Sequence, residues 1–137
     1  MTDQLELTLL NRQPEIARLQ DSLERFARQH AIPERKLHEV QLALEEHLAN
    51  IVRYAHSDGA EHRIRVVCRF AVQELQIQIE DDGCPFNPLE HPAPDLTLPI
   101  EKKRVGGLGI YMMKKSVDGM EYRRENGRNV LRMTKRI

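Results

Sequence analysis

RIRVVCRFAVQELQIQIEDDGCPF, residues 63–86, decides the fold. Ile64, Val66, Cys68 and Phe70 fall on one face of an extended segment, and Leu75, Ile77 and Ile79 on one face of the next. A period of two predicts two half-buried strands. Ala71 to Glu74 is all that separates them, too little chain for a crossover helix, so an antiparallel hairpin is expected. A second hairpin is predicted near the C-terminus. There, strands at about Met120–Arg124 and Asn129–Lys135 flank Asn126-Gly127, a strong turn signal.

Upstream, Leu5, Leu7 and Leu9 alternate with polar neighbours and predict a short first strand. Pro14 opens a helical pattern in which Ile16, Leu19, Leu23 and Phe26 recur at spacings of three and four. Pro33 restarts it, and a long helix is predicted to about Ala55, ended by Ser57-Asp58-Gly59. Downstream, residues 85–99 carry five prolines and no usable periodicity. Such a stretch is more often a functional loop than an accident. A glycine cluster at 106–109 then leads into a helix ending near Asp118-Gly119. Hairpins outnumber βαβ crossovers in this order. The expected fold class is therefore α/β of the α+β kind: a two-layer sandwich whose mostly antiparallel mixed sheet carries its helices on one face.

Composition narrows the function. A chain of 137 residues, 40% hydrophobic and 31% charged, reads as one globular domain. Lys+Arg and Asp+Glu balance at 21 each, so no global field draws the protein to nucleic acid or to an anionic membrane. No stretch approaches the roughly 20 apolar residues of a membrane helix, and no signal-peptide pattern opens the chain. Cys68 and Cys84 form no CxxC pair and read as small apolar filler in a reduced, cytoplasmic compartment. The six histidines show no metal-ligand spacing, which argues against a zinc site.

Three segments carry chemistry. On the long helix, Leu37, Val40, Leu44, Leu48, Ile51 and Ala55 form the apolar stripe. Glu46 and Asn50 fall nearly opposite, one turn apart, with Arg53 close by. A carboxylate and an amide stacked this way suit one metal–water cluster, the amide oxygen as a Mg²⁺ ligand and the carboxylate as a proton acceptor. They equally suit a solvated polar face. Asp81-Asp82-Gly83-Cys84-Pro85-Phe86, at a strand end, can leave a carboxylate in a cleft to accept from an exocyclic amine, with Gly83 admitting a flat ring. An ordinary turn uses the same residues. Gly106-Gly107-Leu108-Gly109, after Lys102, Lys103 and Arg104, can wrap a phosphate at a helix N-terminus or serve as a hinge. Neither GxGxxG nor GK[ST] is present, so it is neither a dinucleotide fingerprint nor a Walker A loop.

Taken in order, these segments resemble the boxes of the GHKL ATPase superfamily, which shares the Bergerat nucleotide fold. Glu46-x-x-x-Asn50 resembles its N box, Asp81-x-Gly83-x-x-Phe86 its first glycine box, and Gly107-Leu108-Gly109 its second. EEHLANIVRYA, DDGCPFNP and GGLGIYMMKKSVDGMEYRRENGRNVLRMTKR are most similar to the anti-sigma-factor serine kinases of bacterial partner switching. The resemblance implies ATP and Mg²⁺ as cofactors. Asp81 would accept the adenine amino group, Asn50 would ligate Mg²⁺, and Glu46 would be the general base on a partner's serine or threonine. Gly106, Gly107 and Gly109 would line the phosphates under a lid at about 87–105. Arg104 or a neighbouring lysine, chosen by position, would reach the γ-phosphate. Implied partners are a STAS-type antagonist that supplies the hydroxyl and a sigma factor or other regulator. A homodimer is common among such proteins, and the N-terminal strand and helix are the candidate interface.

Tyr54 departs from the pattern, standing where many relatives carry a histidine, and the lid is short and proline-rich. Three other readings compete. A sensor histidine kinase domain shares the fold but needs a dimerising helix pair for which the length leaves no room. A nucleotide-dependent anti-sigma module would sequester its target without transferring phosphate. A plain α/β domain would bind no nucleotide at all.

Overall fold

The computed structural model describes residues 3–90 and 107–137. In chain order its elements are β1 (Gln4–Leu10), α1 (Gln13–Gln29), α2 (Glu34–Tyr54), β2 (Arg63–Ala71) and β3 (Glu74–Asp81). A 3₁₀ turn at Pro88–Glu90, α3 (Gly107–Ser116), β4 (Gly119–Glu125) and β5 (Arg128–Arg136) follow. The strands form one sheet in the order β1-β2-β3-β5-β4, and every ladder is antiparallel. The mostly antiparallel sheet expected from sequence thus contains no parallel pair among the described residues.

Alternation divides the sheet into two faces. Leu9, Ile64, Val66, Cys68, Leu75, Ile77, Ile79, Leu131 and Met133 point inward and share one core with α1, α2 and α3. The outward face is polar. There Arg65 bridges strands, bonding Glu6 at 2.7 Å and Glu80 at 3.0 Å. Two layers result, as the patterning predicted. Burial of apolar side chains in that core, at about 25 cal/mol per Å² removed from water, supplies the main stabilisation.

Helix boundaries follow their local signals. Pro14 sits in the first turn of α1, where its missing N–H leaves no bond unmade, and Pro33 caps the start of α2. Neither these helices nor α3 is long and apolar enough to cross a membrane. The β4–β5 turn uses Asn126 and Gly127 at φ of 53° and 74°, as a two-residue hairpin requires. The β2–β3 turn reaches the same region with Val72 and Gln73, at 52° and 61°. A β-branched residue there is strained, and no turn-forming residue type announces it. Cys68 is buried, and burial pushes its thiol up to about 12. Cys84 is exposed, so the filler expectation holds for one thiol and fails for the other.

A buried lysine joins the layers. Lys135, near the end of β5, donates to Ser116 O at 2.7 Å and to the Glu39 carboxylate of α2. The bond to Lys135 is the chief reason the Glu39 carboxyl titrates below its usual range.

Candidate functional site

The site is built where β3 ends. Asp81 and Asn129 are directly opposite in the β3–β5 register, the last inward position of one strand facing the first of the other. Asp81 is 2% exposed, and its Oδ2 accepts from the Gly83 N–H at 2.9 Å and the Asn129 amide at 3.1 Å. That amide also donates to Cys84 O at 2.9 Å. Asn129 Oδ1 accepts from the Tyr122 hydroxyl at 2.5 Å and the Phe86 N–H at 3.3 Å. One side chain thereby fixes the carboxylate and the loop after it.

That loop also closes the long helix. Cys84 N–H donates at 3.0 Å to Ala55 O at the end of α2, and Arg124 donates at 2.7 Å to Gly83 O. A Cβ at residue 83 would come within 2.5 Å of the Ala55 Cβ and 2.8 Å of Asp81 Oδ2. The structure therefore supplies its own reason for glycine there, close packing against the helix end.

Between α2, the loop and α3 lies an open cavity of about 130 Å³. Asn50, Ile51, Tyr54, Asp81, Phe86 and Asn129 line it, together with His47 and Ile110. Cavities of roughly 150 Å³ admit a single aromatic ring. The wall is apolar apart from a few convergent polar groups, the usual make-up of a small-molecule site.

Asn50 is 7% exposed, because α3 packs over the helix face that sequence alone leaves open to solvent. A solvated polar face is thereby excluded for it. Its amide N–H donates to Glu46 Oε1 over a long 3.5 Å, and Asn50 Oδ1 accepts no bond from the described residues. Glu46 is half-buried, and its carboxylate abuts Gly109 so closely that a Cβ there would overlap it. Amide and carboxylate oxygens are the hard donors that Mg²⁺ takes, so Glu46 and Asn50 fit that ion chemically.

The structure therefore brings Asn50, Asp81 and Phe86 to one cavity, with Glu46 bonded to Asn50 at one side. Gly107 opens α3, and Leu108 is exposed in its first turn. Arg53 is exposed and outside the cavity lining. Arg104, Gly106 and the lid beyond residue 90 lie outside the described residues.

Among the cavity residues that sequence reasoning missed are Asn129 and His47. Asn129 was legible only as a strand start, and only the register across from Asp81 reveals it. His47 stands on the buried stripe of α2, 4% exposed, with no partner for Nδ1 among the described residues. Desolvation pushes its pKa down to about 4, so the ring is neutral at neutral pH.

Comparison with known proteins adds a family. Residues 10–135 match the histidine kinase-like ATPase domain. A serine/threonine-protein kinase of Bordetella bronchiseptica, BtrW, is 29% identical over 93 residues, which are 68% of this chain and 66% of that protein. The serine-protein kinase RsbW of Bacillus thuringiensis is 29% identical over 105 residues, 74% of this chain and 64% of its own length. The chain thus spans just under two thirds of these curated relatives. Among solved structures, one of RsbU and RsbW domains from Mycobacterium tuberculosis superposes with a TM-score of 0.72. It is 14% identical and covers 98% of this chain and 32% of the other. The histidine kinase domain of an Erythrobacter litoralis blue-light-activated kinase gives 0.54 at 13% identity, covering 90% and 59%. At such identities the likeness is one of fold.

Proposed function

The chain belongs to the histidine kinase-like ATPase domain family, and we propose that it is a serine/threonine protein kinase of the anti-sigma-factor type. It binds ATP in the cavity and phosphorylates a small STAS-type antagonist. It holds a sigma factor or similar regulator when that antagonist is phosphorylated. In this reading residues 1–137 act as one domain in the cytoplasm. The observation that carries it is that Asp81 from β3 and Asn50 from α2 line one cavity, with Glu46 bonded to Asn50 and lying against Gly109 of α3. The two curated relatives, a serine/threonine-protein kinase and a serine-protein kinase, point the same way.

Each residue has a task that its surroundings suit. Asp81, with Oδ2 held by two donors, offers Oδ1 to the adenine amino group. Asn50 Oδ1 holds Mg²⁺, which when bound neutralises phosphate charge. Glu46 takes the proton from the partner's hydroxyl as that oxygen bonds to the γ-phosphorus and ADP leaves. Gly106, Gly107 and Gly109 free backbone N–H groups for the phosphates, and Arg104 supplies charge from the lid. Catalysis of this kind is positioning and electrostatics, with little covalent work for the protein.

The test is a phosphotransfer assay with Mg-ATP and the purified candidate antagonist. Phosphoserine or phosphothreonine should form on the antagonist with wild-type protein. It should be lost with Glu46→Ala while ADP still binds. Complex formation without modification would make the chain a sequestering module, and transfer retained in Glu46→Ala would remove Glu46 from the base role.

A further inference from the structure

On the far side of the Asp81–Gly83 turn three metal-ligating side chains from three elements meet. His56 follows the end of α2, His62 precedes β2, and Asp82 follows β3. One donor atom from each lies within 4.8 Å of the others. His56 Nε2 and His62 Nδ1 are both 3.3 Å from Asp82 Oδ1. A tetrahedral ion with bonds of about 2.0–2.1 Å has ligand–ligand edges of roughly 3.3–3.4 Å. The two distances match such edges.

Two further observations point to a ligand. The His56 side chain is 10% exposed, and its Nε2 is shut from solvent with no hydrogen-bond partner among the described residues; the carboxylate 3.3 Å away lacks the alignment for one. A buried ring nitrogen left unpaired is costly unless something else takes its lone pair. On His62, Nε2 is 2.9 Å from Asp58 Oδ2, while Nδ1 faces Asp82. With an ion bound, that carboxylate–histidine arrangement would keep the proton on the nitrogen facing Asp58 and present the lone pair on the other. The two rings stack face to face, 3.4 Å apart and within 5° of parallel. Each ring presents a nitrogen to the same Asp82 oxygen.

We propose that His56, His62 and Asp82 form a binding site for a late first-row divalent cation of the zinc type, with Asp58 orienting His62 from the second layer. Two imidazoles and one carboxylate suit Zn²⁺ and its neighbours and disfavour Mg²⁺ and Ca²⁺, which take oxygen. Three protein ligands leave a fourth position for water or a partner's side chain. Parallel rings send their lone pairs along parallel lines, so binding splays the stack until both converge on the ion. The spacing along the chain, 56 and 62 with 82 beyond the end of β3, is why no sequence motif announces the site. The proposal departs from the sequence-based argument against zinc.

The site also clamps the turn that closes the cavity. Asp82 separates Asp81 from Gly83, and His56 follows Ala55, whose carbonyl holds Cys84. An ion here ties the ends of α2 and β3 and the start of β2 together.

The experiment uses full-length, tag-free protein stripped with a chelator and titrated with Zn²⁺ by calorimetry and with Co²⁺ by visible absorption. One equivalent should bind, with the intense bands of tetrahedral cobalt, undisplaced by millimolar Mg²⁺. His56→Ala and His62→Ala should abolish that uptake, and His56→Gln serves if the alanine variant misfolds by circular dichroism. Asp58→Asn should weaken binding by about 10–100-fold, the usual effect of an outer partner. His38→Ala, an exposed histidine on α2, should bind as wild type does. No uptake at one equivalent, or uptake unchanged in folded His56 and His62 variants, overturns the proposal and leaves the cluster a set of polar contacts only.

Discussion

The Glu46 carboxylate lies against the α-carbon of Gly109, so closely that a β-carbon at residue 109 would overlap both carboxylate oxygens. Helix α3 thereby holds the proposed base from one side while Asn50 bonds it from the other. Glycine at 109 is required by that approach; its φ is not in the left-handed region. The obstacle to a larger residue is the tip of a flexible side chain, which can move.

Gly109→Ala should therefore fold normally and displace Glu46. Phosphotransfer should fall by about 10²–10⁴-fold, the usual share of one positioned base, while ADP affinity changes little. Single-turnover transfer alongside ADP calorimetry separates the two. Equal losses in both would mean that residue 109 acts on the nucleotide directly.

Asn129 sits at the centre of four hydrogen bonds. Asn129→Ala should cost about 1–3 kcal/mol of stability by leaving buried partners unpaired, and should weaken ADP binding by freeing Asp81. Tyr122→Phe removes only one of those bonds and should cost about 0.5–1.5 kcal/mol. Urea denaturation orders the two. A Tyr122 variant hurt as badly as Asn129→Ala would put the bracing role on the hydroxyl.

His47 predicts a pH dependence. Its folded pKa, about 4, lies below the unfolded value near 6.5. Between those values the unfolded chain binds a proton that the folded one refuses, so stability falls as pH drops from about 6.5 to about 4. The loss from this group approaches about 3 kcal/mol at most. Urea midpoints at pH 7.5 and 5 should differ less in His47→Gln than in wild type. An unchanged difference would show that other groups dominate.

Much of this architecture was legible in the sequence because it rests on local signals. Period-two runs at 64–70 and 75–79, helical spacing from Ile16 to Phe26, and Asn126-Gly127 each act through near neighbours. What stayed hidden depends on register and long-range packing. Asn129 matters because it faces Asp81 across two strands, and Lys135 because it reaches Glu39 and Ser116. Asn50 is buried because a helix 57 residues further along covers it. The turn at Val72 and Gln73 is imposed by the strands on either side, against the preference of its own residues.

The pocket's meaning comes down to Asp81, and calorimetry of Mg-ADP against wild-type protein and Asp81→Asn tests it most directly. A hydrogen bond to a charged group is worth about 1.5–3 kcal/mol, so the variant should bind roughly 10–150-fold more weakly, with its melting temperature nearly preserved. A folded Asp81→Asn protein that binds Mg-ADP as tightly as wild type, or a wild-type protein that does not bind it, would contradict the account.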